Sequence, residues 1–71
     1  MDASTYTVVQ LVGTSTKSWE DAAKTAIDTA GKSLRDLRIA EVTRMDMTVD
    51  KGKVKLFRTR LNLSFKYEGG S

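Results

Sequence analysis

The chain has 71 residues, with 12 Lys and Arg against 9 Asp and Glu, a net charge of +3. Neither cysteine nor histidine occurs, which removes disulfides, thiolate nucleophiles, histidine bases and the usual zinc sites. A domain of this size buries only about 60% of the surface its unfolded chain exposes, so extra stability has to come from oligomerisation or a carboxylate-held cation.

Residues 1–5 read as a short N-terminal extension without the features of a secretory signal. No apolar run approaches the roughly 20 residues of a membrane span, so a soluble, cytoplasmic protein with no membrane partner is expected. The modest positive charge permits contact with anions but does not demand nucleic acid.

The first element is a strand from Tyr6 to Val12, rich in β-branched residues, which Gly13-Thr14-Ser15-Thr16 is expected to break. Ser18 then suits a helix N-cap, with Glu20 and Asp21 in the first turn, where the helix dipole favours negative charge. Trp19, Ala22, Ala23, Ala26, Ile27, Ala30 and Leu34 recur at steps of three and four and define one apolar face. The helix is expected to span Ser18 to Arg35, with Lys32 and Arg35 near its negative end. Lys24 and Asp28 lie on the opposite face.

From Arg38 the period changes to two. Ile39, Met45, Met47 and Val49 share one parity, and Arg44, Asp46, Thr48 and Asp50 share the other. Asp50-Lys51-Gly52-Lys53 reads as a turn, with Gly52 free to take a positive φ. In the third strand Phe57, Leu61, Leu63, Phe65 and Tyr67 alternate with Arg58, Arg60, Asn62, Ser64 and Lys66. Residues 6–68 thus form a single α+β domain of β-α-β-β order, a three-stranded antiparallel sheet on one helix, and 69–71 read as a flexible tail.

The strands are long for such a domain. Lys53 to Tyr67 would span roughly 50 Å at about 3.3 Å per residue, whereas a compact chain of this length has a radius of gyration of about 11 Å. The hairpin must curl around the helix, reach into a neighbouring subunit, or both. Open sheet edges also call for pairing. A homo-oligomer follows from this geometry rather than from a motif.

The segment VVQLVGTSTKSWEDAAKTAIDTA, followed by LRDLRIAEV, the DKGK turn and LNLSFKYE, resembles the dodecin family over residues 5–68. The resemblance implies a sheet wrapped around the helix, a closed homododecamer, and non-catalytic storage of riboflavin or FMN between subunits. At the position of the family's flavin-stacking tryptophan this chain has Ile39, which offers no π face. The pocket glutamine is replaced by Arg58, which only donates. A basic residue that holds flavin phosphate in some relatives is replaced by Asp46, and Lys66 keeps a positive charge near the end of the last strand. The Ser-Trp-Glu helix start, Arg38-Ile39-Ala40 and Asp46-Met47-Thr48-Val49-Asp50 are similar to a branch that binds calcium instead of flavin. Calcium and flavin are therefore the two candidate ligands.

Asp46, Thr48 and Asp50 share parity, about 7 Å apart at alternate positions. Asp46 and Asp50 could begin a calcium site, although calcium takes six to eight oxygens; the competing reading is a solvated strand face. Trp19 reads as a packing residue, and Met45 and Met47 as fillers of subunit contacts. Arg58, Arg60 and Lys66 form a basic strip without interleaved exposed aromatics, which argues against a nucleic-acid platform. Without a histidine base, a cysteine nucleophile or a phosphate-cradling glycine loop, catalysis is not expected.

Overall fold

The structure is a computed structural model and describes residues 4–66. Tyr67, the 69–71 tail and residues 1–3 of the extension lie outside those residues. The elements run β1 (Tyr6–Ser15), α1 (Trp19–Gly31), β2 (Leu37–Asp50) and β3 (Lys53–Lys66). The sheet order is β1-β3-β2 with both pairings antiparallel, so β3 is central. Helix α1 packs on one face, mainly against β1 and β3.

Strand β1 does not stop at Val12. Gly13, Thr14 and Ser15 continue it, pairing with Thr59, Arg58 and Phe57. Gly13 is there for close approach: a Cβ would collide with the carbonyl oxygen of Ala22 and lie 3.0 Å from the Ala26 methyl. The helix can therefore lie directly on the strand. The Ser15 hydroxyl donates to the Asp21 carboxylate at 2.6 Å and accepts from the Lys17 N–H at 2.9 Å. Ser18 then caps the helix, its hydroxyl accepting from the Asp21 N–H at 2.9 Å.

Ala22, Ala26 and Ala30 are buried along α1. Their small side chains let Leu61 and Leu63 of β3 become fully buried beneath them, with Val9, Leu11, Ile27 and Leu34 packed around. Complete burial of each leucine contributes roughly 1.5–3 kcal/mol. The helix ends at Gly31, four residues before the Arg35 expected from periodicity. Glycine is a poor helix interior residue, and the Ser33 N–H bonds to Ala30 O in a tighter turn. Leu34 still donates to Ala30 O at 2.8 Å, so its side chain stays on the apolar side and extends the apparent period past the helix. Lys32 is the C-cap and Arg35 lies beyond it, so no basic residue occupies the last helical turn.

Strand β2 carries register irregularities at Leu37/Ile39, Val42/Arg44 and Thr48/Val49. The second one reverses the parity read from the sequence. Ile39 pairs with Ser64, whereas Met45 and Met47 pair with Thr59 and Phe57, and directly opposed residues share a sheet face. Ile39 therefore lies on the face away from the helix, with Asp46 and Arg58, and the two methionines lie on the helix side. At the turn, Lys51 (φ 53°) and Gly52 (φ 76°) are both left-handed, as a two-residue type I′ hairpin requires.

The hairpin runs on past the helix rather than curling fully around it. The Cα radius of gyration is 14.8 Å and the long axis is 54 Å. Residues 48–50 and 53–56 extend beyond the end of β1, which stops opposite Phe57.

Candidate functional site

On the face away from α1, rows of side chains run across the three strands. Successive rows are Val8, Ser64 and Ile39; Gln10, Asn62 and Glu41; Val12, Arg60 and Arg44; and Thr14, Arg58 and Asp46. Lys66 ends the central column opposite Tyr6. All four positions singled out by family resemblance, Ile39, Asp46, Arg58 and Lys66, thus share one face. Within a chain they fall into two groups. The Ile39 row lies six β3 positions from the Arg58 row, roughly 20 Å away at about 3.3 Å per residue, while Lys66 is two positions from the Ile39 row. A ligand touching both groups would have to bridge copies of the chain.

Ile39 is 54% exposed and offers a flat aliphatic contact. Asp46 and Arg58 are locked together. Arg58 Nε donates to one carboxylate oxygen at 2.6 Å, and its terminal nitrogen donates to the other at 2.9 Å. This two-pronged geometry is the strongest form of side-chain ion pair. The hydrogen bond from Arg58 holds the Asp46 carboxyl below its ordinary value; desolvation opposes it, and the positive fields of Arg58, Arg60 and Arg44 add to the lowering. The same bond pushes the Arg58 guanidinium up. The basic strip is therefore partly salt-bridged within one chain, and Asp46 is not a bare repulsive charge.

Asp46 is also fixed through its backbone. Its carbonyl accepts from the Trp19 indole N–H at 2.9 Å, and Trp19 meets Phe57 edge-on with ring centroids 5.1 Å apart. The Trp19 carbonyl in turn accepts from the buried Thr59 hydroxyl at 2.9 Å. Trp19 is thus a packing residue, and it ties the start of the helix to β2 as well as β3.

The acidic run is not a ready-made cation cage. Both Asp46 oxygens are engaged by Arg58, the Thr48 hydroxyl accepts from the Leu56 N–H at 3.0 Å, and Asp50 lies apart from Asp46 at the hairpin tip, in register with Lys53. Among the described residues no group of three or more acidic side chains could hold a metal ion. The structure also places Arg44 and Arg60 directly opposite each other. Their positions on single strands were legible, but their juxtaposition depends on the Val42/Arg44 irregularity, which has no sequence marker. An open groove of about 230 Å³ at the helix exit is lined by Ser33, Leu34, Arg35, Asp36, Phe65 and Lys66. No helix among the described residues is long and apolar enough to cross a membrane.

The dodecin family model matches residues 5–68. Calcium dodecin of Mycobacterium tuberculosis is 43% identical over 63 residues, which are 89% of each chain. The dodecin structure from Streptomyces coelicolor superposes with a TM-score of 0.92 at 33% identity, covering 99% of this chain and 100% of that one. The solved structure of M. tuberculosis calcium dodecin, described as a calcium-chelating antigen with a novel calcium-binding site, has a TM-score of 0.81 at 42% identity, covering 96% of this chain and 97% of that one. With the strand-helix-hairpin order, the glycine seat under the helix and the β1-β3-β2 sheet all in agreement, the chain belongs to the dodecin family.

Proposed function

We propose that this chain is the subunit of a closed homododecamer, cytoplasmic and non-catalytic, that binds and sequesters a small ligand without the flavin stacking of its relatives. The observation that carries this reading is Ile39, an exposed aliphatic residue where the family resemblance calls for an aromatic platform. Loss of the π face removes offset stacking, worth about 0.5–1.5 kcal/mol beyond area burial. Support for assembly comes from β2, whose Val42, Met45 and Met47 remain exposed on the helix side of the sheet.

Calcium is the ligand favoured by the similarity to calcium dodecin. The acids of one chain do not make a calcium site, because calcium takes six to eight oxygens and Asp46 is engaged by Arg58. The cation reading therefore requires Asp50, and Asp46 after release from Arg58, to be joined by oxygens of other copies. Isothermal titration of chelator-treated, assembled protein with calcium tests it. Saturable heat with thermal stabilisation is expected, and the absence of both removes the cation.

The second reading is a riboflavin or FMN store with an altered pocket. It is favoured by the common face on which Ile39, Asp46, Arg58 and Lys66 lie. A yellow preparation, with flavin fluorescence quenched until denaturation, would place it first.

A further inference from the structure

We infer that Arg44 and Arg60 form a seat for a phosphate-type dianion on the sheet face away from the helix, a site separate from Ile39 and independent of whether calcium or flavin is bound. The two residues are direct cross-strand partners of β2 and β3. Like charges in that relation destabilise a sheet. The neighbouring Arg58 cannot relieve them, because it adds a third positive charge, and the carboxylate of its own row, Asp46, is held by Arg58 through both oxygens. Glu41, in the row on the other side, is a second carboxylate nearby, so three guanidiniums and two carboxylates leave one net positive charge. Among the described residues no ion pair involves Arg44 or Arg60, and the third member of their row is Val12, exposed and without charge.

The chemistry of the missing partner follows from the forks. Each guanidinium presents paired donors suited to two acceptor oxygens. A single carboxylate satisfies one fork and supplies one charge. A phosphate dianion carries terminal oxygens for both forks and brings negative charge to both unpaired guanidiniums. In the next row, beside Glu41, the Gln10 and Asn62 amides are joined at 3.4 Å and could receive the neutral polar remainder of a phosphate monoester. The ligand class is therefore inorganic phosphate or the phosphate of a phosphorylated small molecule, rather than an acidic side chain of a second copy.

The test uses assembled protein in phosphate-free buffer at constant ionic strength, titrated calorimetrically with inorganic phosphate and separately with glycerol phosphate. Wild type is compared with Arg44→Gln, Arg60→Gln and Lys24→Gln, the last an exposed lysine of α1 outside the seat. Saturable binding is expected, weakened about tenfold or more in either seat variant and unchanged in Lys24→Gln. Tighter binding of the monoester would assign a phosphorylated metabolite, and equal binding the free ion; both uphold the seat. A second readout has opposite sign: without phosphate, each seat variant melts higher than wild type, because a repulsion is gone, and it loses the stabilisation that phosphate confers. No saturable heat at millimolar phosphate, or equal weakening in Lys24→Gln, overturns the inference. So does disassembly of either seat variant, which would assign the arginines to a carboxylate of a neighbouring copy.

Discussion

Two halves of the sheet share the central strand β3 and have very different surroundings. On one side, Leu61 and Leu63 are flanked by Leu11 and Val9 of β1 and covered by the alanine face of α1, and they are 1% and 0% exposed. On the other side, Val42 of β2 stands directly beside Leu61 and is 48% exposed. Met45 and Met47 continue that row at 57% and 44%. The 13-residue helix is about 20 Å long at 1.5 Å per residue, too short and too far toward β1 to cover a 14-residue edge strand. The difference teaches that one chain completes half a core. Apolar residues in a row on an unpaired edge strand are a liability for a monomer and an interface for an oligomer.

The largest effect that would break this comparison is expected from Met45→Asp. The side chain is more than half exposed in one chain, so the subunit fold should survive. In an assembly the charge would be forced into a contact, and light scattering should report subunits or small oligomers in place of the closed particle. An intact assembly would remove β2 from the interface. Leu63→Ala tests the other half. It should cost about 2–5 kcal/mol in subunit stability, measured by denaturant unfolding under conditions that keep the chain dissociated. Val42→Ala under the same conditions should cost less than about 1 kcal/mol, because the residue still sees water. Equal losses would mean that the two halves are packed alike.

Gly13→Ala is next in size. The added methyl meets the Ala22 carbonyl and the Ala26 side chain, both part of a helix that cannot yield locally, so about 1–3 kcal/mol of overpacking is expected. A neutral melting temperature would show that the helix lifts freely from β1. This glycine also marks the limit of sequence reading. VGTS reads locally as a strand breaker, yet Gly13 continues the strand, because what it relieves is a contact with a helix nine residues onward. The parts governed by local periodicity were legible: the alternation of β3, the alanine stripe of α1, the Ser18 cap and the Gly52 turn. The facing of Ile39 was not, since the irregularity between Val42 and Arg44 exchanges the faces of β2 without a glycine or proline to announce it. The Asp46–Arg58 pair was hidden for a related reason, because cross-strand register is a property of two segments at once.

The smallest expected effect concerns that pair and separates its two possible roles. Asp46 has a folded pKa below its ordinary value of 3.8. The unfolded chain therefore binds its proton more readily, and the pair contributes stability above about pH 4 that is lost as pH falls through the lowered folded value. Asp46→Asn should lower the melting temperature slightly near neutral pH, and its curve should converge with wild type only once pH falls past the lowered folded value, which lies under 3.8. The effect is small because both side chains are about 40% exposed and salt screens them. It should still exceed that of an isolated surface pair, because removing the carboxylate leaves Arg44, Arg58 and Arg60 together. If that crowding dominates, adding phosphate at neutral pH should restore the melting temperature of Asp46→Asn. Curves that coincide with wild type at every pH would show instead that Asp46 acts through its backbone bond to Trp19 alone.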